Sequence, residues 1–432
     1  MNPNDPTTGA AVAPAPARLL RLPVVLRECQ FRRFWAGETI SLFGDQITLI
    51  ALPLVAVLEL HASAAQMGYL GAAELIPGLL FSLHFGAWVD RRGRRRQTMI
   101  FTALGRAALL ATVPVAWALG ALTLAQLYVV GFLVGTLSVL FFVSYSTLFV
   151  SLVPREHYLE ANSLLNGSRA LSFVGGPSVG GLLVQALSAP GALVADAASF
   201  LVSALSLGSI SPAEPPSEKA ERGHLRAGIR YLWRSSVIRP SLLATATINF
   251  FNFVFWALFI LYATRALGVR PGALGLVLGA ASVGGVIGSI VTGRISRRIG
   301  VGPAFAVGCV LFPAPLVLVP LAGGAHWTVL ACLFAAEFLS GFGVMILDIS
   351  SATIKAALVP DRLRARVSGA YMVVNYGVRP LGALVGGALG TWIGLRPALW
   401  IGAAGAILGA LWLLPSPVLG LRDLPEQEEE GV

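Results

Sequence analysis

The sequence predicts an all-α integral membrane protein: twelve transmembrane helices arranged as two pseudo-symmetric six-helix bundles. Three observations carry that expectation: a charge deficit spread along the whole chain, a one-sided distribution of cationic loops, and an internal repeat. Of the 432 residues, 56% are hydrophobic and only 12% are charged, and the mean hydropathy is +0.77. A soluble domain carries about 25% charged residues, so most of this chain is suited to lipid. Twelve spans of about 20 residues leave room for short loops, one linker and two tails.

Apolar segments bounded by charge or turn signals fall at 34–59, 66–89, 98–119, 123–152, 159–186 and 190–210. A second set falls at 240–265, 272–295, 301–322, 326–353, 367–391 and 394–414. The expected organisation is therefore a tail (1–32), a first bundle (33–210), a linker (211–239), a second bundle (240–415) and an acidic tail (416–432). The linker opens Pro-rich and continues as HLRAGIRYLW. There Leu225, Ile229 and Leu232/Trp233 share one face, with Arg226, Arg230 and Arg234 on another. Such a helix suits a headgroup surface.

The loops vote on orientation. Of the 31 Lys and Arg, all but six fall in the segments on one side. Arg265, Arg270 and Arg396 fall on the other, and Arg106, Arg169 and Arg379 lie within spans. The positive-inside rule then predicts an even number of spans with both termini cytoplasmic, in a cell inner (plasma) membrane. It also accounts for the net charge of +10 without a nucleic-acid partner. Cys29, Cys309 and Cys332 show no metal-ligand spacing, the histidines are scattered, and no phosphate-binding loop of the G-x-x-x-x-G-K-[ST] type is present. No cofactor, metal or enzymatic constellation is expected.

The halves match each other. An offset of 207 superimposes Gly68, Gly78, Gly86 and Gly93 on Gly275, Gly285, Gly293 and Gly300. At offset 206, LVP at 152–154 matches 358–360, and GPSVGG at 176–181 matches GALVGG at 382–387. Repeats on this scale are characteristic of secondary transporters, whose binding site lies between the halves near the midplane.

Between the second and third spans stands GAWVDRRGRRR, Gly86 to Arg96. It resembles the cytoplasmic loop signature of the major facilitator superfamily. The resemblance implies the major facilitator fold and a conformational lock formed by Gly86, Asp90, Arg91 and Arg94. A glycine there allows close helix approach, and an acidic side chain suits a helix N-terminus. The second copy has Arg297 where the first has Asp90, so its lock is degenerate or absent. Gly176, Pro177, Gly180 and Gly181 resemble the helix-packing core of a motif found in the family's antiporters and exporters. FRRFWAGETISLFGDQITLIALPL (31–54) and LVPREHYLEANSLLNGSRA (152–170) are similar to the exporter branch of macrolide efflux proteins and the enterobactin exporter.

Ionisable groups inside spans are costly and default to function. Glu38 and Asp45 are seven apart, hence on one helical face, and Asp45 is the first candidate for a proton-exchanging carboxylate. Glu337 and Asp348 share a face with Lys355, which is expected at the cytoplasmic mouth. Glu74, Arg106 and Asp196 are expected to form buried pairs. Arg169 and Arg379 are candidates to meet an anion, or to pair with Asp45, Glu337 or Asp348. Gln46, Asn249, Asn252, Trp256 and Asn375 complete the expected substrate cavity, since aromatics with a few amides suit a bulky, partly apolar ligand.

The expectation is a monomeric secondary transporter, in contact with membrane lipid, that exports amphipathic drugs, macrolides, siderophores or natural products by proton antiport. An importer of a nutrient or lysophospholipid on the same fold stays open. So does a non-transporting sensor or scaffold.

Overall fold

The computed structural model describes residues 23–212 and 225–422. Most of the first tail, part of the linker and residues 423–432 of the acidic tail lie outside the described residues. The elements run α1 (Cys29–Leu54), α2 (Ala64–Arg92), α3 (Arg95–Ala118), α4 (Leu124–Leu148), α5 (Tyr158–Leu187) and α6 (Ala189–Gly208). After the linker helix α7 (Leu225–Arg234) come α8 (Ile238–Arg265), α9 (Pro271–Ile299), α10 (Val301–Leu311) and α11 (Leu318–Leu321). The chain closes with α12 (His326–Leu358), α13 (Asp361–Trp392) and α14 (Leu395–Leu408).

Ten helices, counting α10 and α11 as one, are long and apolar enough to cross a membrane among the described residues. The expectation of twelve needs α2 and α13 as well. At 29 and 32 residues and 1.5 Å rise per residue, both exceed the ~30 Å hydrocarbon thickness. Both carry polar groups along their length, Glu74 and His84 in α2 and Asn375 and Arg379 in α13. Large apolar side chains such as Phe101 and Leu205 are 65% and 73% exposed, as a lipid-facing belt requires.

Local chemistry sets the ends. A capping box starts α2: the Gln66 amide donates to Ser63 Oγ, and the Ser63 amide donates to Gln66 Oε1. Gly93, at φ +62°, ends the same helix in the left-handed region. The apolar segment 301–322 is not one helix. It breaks after Leu311 into a 3₁₀ turn and the short α11, because Pro313 and Pro315 remove two backbone donors from one turn.

Packing repeats between the halves. In the first bundle α1 packs on α5 and α6, and α2 on α4; in the second α8 packs on α13 and α14, and α9 on α12. Across the halves α2 packs on α13, and α5 on α9. The linker helix lies on α13 and the end of α12: a Cβ added at Gly228 would stand 2.6 Å from the Arg366 carbonyl carbon of α13, and Tyr231 Oη donates to the carbonyl of Leu358, the last residue of α12, at 2.7 Å. Its Ile229, Trp233 and Arg230 stay exposed.

Candidate functional site

Both inter-half seams are tightest on the face opposite the chain ends. A Cβ at Gly68 would meet Gly387 Cα at 2.8 Å, and one at Gly181 would meet Gly275 Cα at 2.7 Å. These are the repeat's own positions, Gly68 with Gly275 and Gly181 with Gly387, so the two contacts are pseudo-symmetric copies. Backbone touches backbone there, as small residues permit. Toward the face bearing α7 and the ends of the described residues, near Val24 and Arg422, the helices part. A Cβ at Gly78, Gly86, Gly167 or Gly369 would meet nothing within 4 Å among the described residues. The molecule is closed on one face and open on the terminal one.

The parting leaves a cavity of about 850 Å³. Its wall is largely apolar, with Leu42, Leu79, Val139, Phe141, Phe142 and Met372 among its residues, and Glu38, Asp45, Arg106 and Arg169 bring charge into it. The Arg106 side chain is only 3% exposed and lies 3.4 Å (Nη1) from Asp45 Oδ1. It sits between the rings of Phe141 and Phe200, at 4.5 and 4.0 Å from their centroids. Glu38 and Asp196 lie within electrostatic range of the same guanidinium. Asp196 accepts from Thr48 Oγ1 and from Ser199 Oγ, while Nε and Nη2 of Arg106 have no partner among the described residues. One buried cation thus faces three carboxylates from α1 and α6.

This corrects the expected pairing. Arg106 pairs with Asp45, Asp196 is held by hydroxyls, and Glu74 has no ion pair among the described residues. Arg169 lines the cavity and lies over the Tyr145 ring at 4.7 Å.

A second cavity of about 290 Å³ lies in the other bundle, lined by Asn249, Asp348, Lys355, Tyr371, Asn375 and Arg379 among others. Arg379 Nε donates to Asn249 Oδ1 at 3.0 Å, and Asn249 Nδ2 donates to Asn375 Oδ1 at 3.1 Å. Tyr371 Oη and Thr245 Oγ1 are 2.7 Å apart. Met372 and Tyr376 line both cavities.

Four expected residues line neither cavity. Gln46 turns to α5, where it fills the space left by Gly176, and its buried Oε1 has no partner among the described residues. Asn252 is buried, and Trp256 packs edge-on against Phe259 in the apolar core. Glu337, 1% exposed, is sealed within the protein, its Oε1 without a partner among the described residues. Of the lock residues, Gly86 makes no close approach in this conformer, Arg91 and Arg94 are exposed, and the side chain of Asp90 lies outside the described residues. Gly176 and Gly180 pack on α1, and Pro177 and Gly181 on α9. Sequence reasoning missed Tyr145, Phe141, Met372 and Tyr376. A tyrosine four residues after a phenylalanine in the uncharged α4 was the available signal.

A sequence profile of the Major Facilitator Superfamily matches residues 34–378, and again 241–431. The chain belongs to the Major Facilitator Superfamily. The second match starts 207 residues after the first, the offset of the glycine register. This facilitator is 28% identical over 379 residues to the multidrug efflux pump Tap of Mycolicibacterium fortuitum, covering 82% of this chain and 87% of Tap. It is 26% identical to the Tap of Mycobacterium tuberculosis H37Rv, covering 89% and 93%. It is also 26% identical to an uncharacterised facilitator-type transporter, YfiS of Bacillus subtilis, covering 90% and 93%. Among solved structures, a mutant of the nucleoside transporter NupG superimposes with a TM-score of 0.71 at 12% identity, covering 88% of this chain and 98% of NupG. A bacterial homologue of the iron transporter ferroportin, in an inward-facing state, gives 0.71 at 16% identity, covering 90% and 98%. The facilitator is a multi-pass membrane transporter of small molecules, not an enzyme.

Proposed function

We propose that this facilitator exports amphipathic small molecules by proton antiport, working as a monomer in the cytoplasmic membrane with both termini in the cytoplasm. The observation that carries the reading is the Asp45–Arg106 pair at the wall of a large apolar cavity open on the terminal face. A bulky, partly apolar solute is matched by aromatic and aliphatic wall area, and the carboxylates supply polar contact. The efflux function named for the Tap relatives supports the direction, and the one-sided loop charge supports the orientation.

The coupling follows from the cluster. Protonating Asp45 removes its attraction to Arg106 and leaves the guanidinium to Glu38 and Asp196. Arg106 sits on α3, Asp45 on α1 and Asp196 on α6, so the change alters which helices the cation ties together. Proton and solute then bias different conformers, and the linkage between them is reciprocal. Alternating access moves the bundles about the shared cavity, with the paired glycine seams closing one face and the Gly86–Arg94 loop closing the other.

The test is uptake of a fluorescent cationic amphipath, a rhodamine methyl ester, into inverted membrane vesicles with an acidic lumen. Wild-type protein concentrates the dye and a protonophore abolishes the effect. Uptake that is indifferent to the protonophore would refute proton antiport.

A further inference from the structure

We propose that the charged cavity of the second bundle is a binding subsite for an anionic group, a carboxylate or phosphate, on an amphipathic or zwitterionic solute. The proposal rests on the reading of the protein as a transporter of amphipaths, and narrows its substrate class. Lys355 and Arg379 bring two positive charges to this cavity, and Asp348 brings one negative charge. Among the described residues neither cation has a carboxylate oxygen within 4 Å, whereas Arg106 in the first bundle does. Asp348 lies within electrostatic range of both Lys355 and Arg379 and offsets one of the two charges, so the cavity keeps a net positive charge. Charged side chains in membrane interiors are expensive and are retained where they meet a partner.

Both cations are already positioned. Lys355 Nζ stands 4.1 Å from the Tyr371 ring centroid. The Arg379 guanidinium lies 3.9 Å over Tyr376 and 5.2 Å over Phe253, with Nε tied to Asn249. A fixed, aromatic-backed guanidinium is the donor best suited to a planar or tetrahedral oxyanion. The cavity, about 290 Å³, lies at the lower end of the ~300–1,000 Å³ usual for drug-sized ligands and has room for a head group. Its neighbour supplies the rest. Through Met372 and Tyr376 it borders the larger, mostly apolar cavity, where Glu38 and Asp45 suit the opposite charge. An anionic end beside Lys355 and Arg379, with an apolar or cationic body across Met372, satisfies both.

The experiment measures fluorescence anisotropy of two matched probes on the full-length protein in phosphatidylcholine nanodiscs. One probe is a rhodamine bearing a free carboxylate and the other is its methyl ester. The acid is expected to bind about tenfold or more tightly than the ester, the size of one charge-assisted hydrogen bond. Lys355→Gln should erase that preference by weakening acid binding about tenfold more than ester binding, and Lys355→Arg should retain it. Equal binding of both probes by wild type, or an equal loss for both in Lys355→Gln, overturns the subsite while leaving amphipath transport standing. Benzoate, tested by thermal shift, separates the two readings. Stabilisation by benzoate that Lys355→Gln removes, with no binding of either rhodamine, keeps the anion subsite and sinks the amphipath reading. No response to benzoate or to either rhodamine overturns both. Discs containing phosphatidylglycerol distinguish the source of the anion. Loss of the acid's advantage there assigns the subsite to a lipid headgroup, and its persistence assigns it to a dissolved solute.

Discussion

Gly275 offers a direct handle on the conformational equilibrium. A Cβ there would stand 2.8 Å from Gly181 Cα and 3.0 Å from Gly181 N, and would also press on the Pro177 carbonyl. Carbon atoms settle at about 3.5–4.0 Å, so α9 and α5 must separate by roughly 1 Å at this point. The obstructing atoms are backbone, and no side-chain rotation relieves them. Overpacking of this kind costs about 1–3 kcal/mol. The cost falls only on the conformer in which the seam is shut, so Gly275→Val should shift the balance away from it by about 5- to 150-fold. Spin labels at Leu119 and Trp392, both exposed near the closed face, report the change by electron–electron distance measurement. The long-distance population should rise in Gly275→Val, and again in Gly387→Val, whose added carbon would meet Gly68 Cα at 2.9 Å in the symmetric seam. An unchanged distance distribution in a folded, monodisperse variant would refute the argument that backbone contact holds this face closed.

Two further outcomes follow from the packing. Arg106→Gln leaves Asp45, Glu38 and Asp196 without their shared counter-charge; with the Asp45 side chain 44% exposed to the cavity, stability should fall by about 1–3 kcal/mol; thermal unfolding of the purified protein measures it, and adding Asp45→Asn should restore part of the loss. Gly228→Val should lift the linker helix from α13, because the added side chain overlaps the Arg366 carbonyl; faster tryptic cleavage at Arg230 and Arg234 is the readout, and an unaltered cleavage rate would contradict the docking.

Much of this architecture was legible in the sequence because lipid imposes a coarse code. Apolar stretches mark the spans, and the repeat pairs the seam glycines, Gly68 with Gly275 at offset 207 and Gly181 with Gly387 at offset 206. Helix ends were less legible. Residues 361–366, DRLRAR, are helical in α13, yet too polar to read as membrane. The break at Pro313 was equally hidden, because Pro53, Pro77, Pro114, Pro177 and Pro380 all sit inside continuous helices.

The candidate site divides along the same line. Glu38 and Asp45 share a face by their spacing of seven, and both line the cavity. Gln46, the next residue, is turned about 100° round the helix and meets Gly176 instead. Trp256 is nearly in line with Asn249 but two turns further along α8, where the bundle is filled by apolar side chains. Periodicity gives the angle of a side chain, and only the tertiary fold gives its depth. The pairing of Arg106 with Asp45, 61 residues away, is likewise a property of the bundle and not of any helix.

The central claim is that Asp45 and Arg106 couple proton movement to solute export. Its most direct test is proton flux in proteoliposomes, with luminal pH followed by pyranine while an imposed ethidium gradient drives transport. Wild-type protein should move protons opposite to ethidium, and Asp45→Asn should lose the proton signal. Ethidium-driven proton movement of wild-type size in Asp45→Asn would contradict the account.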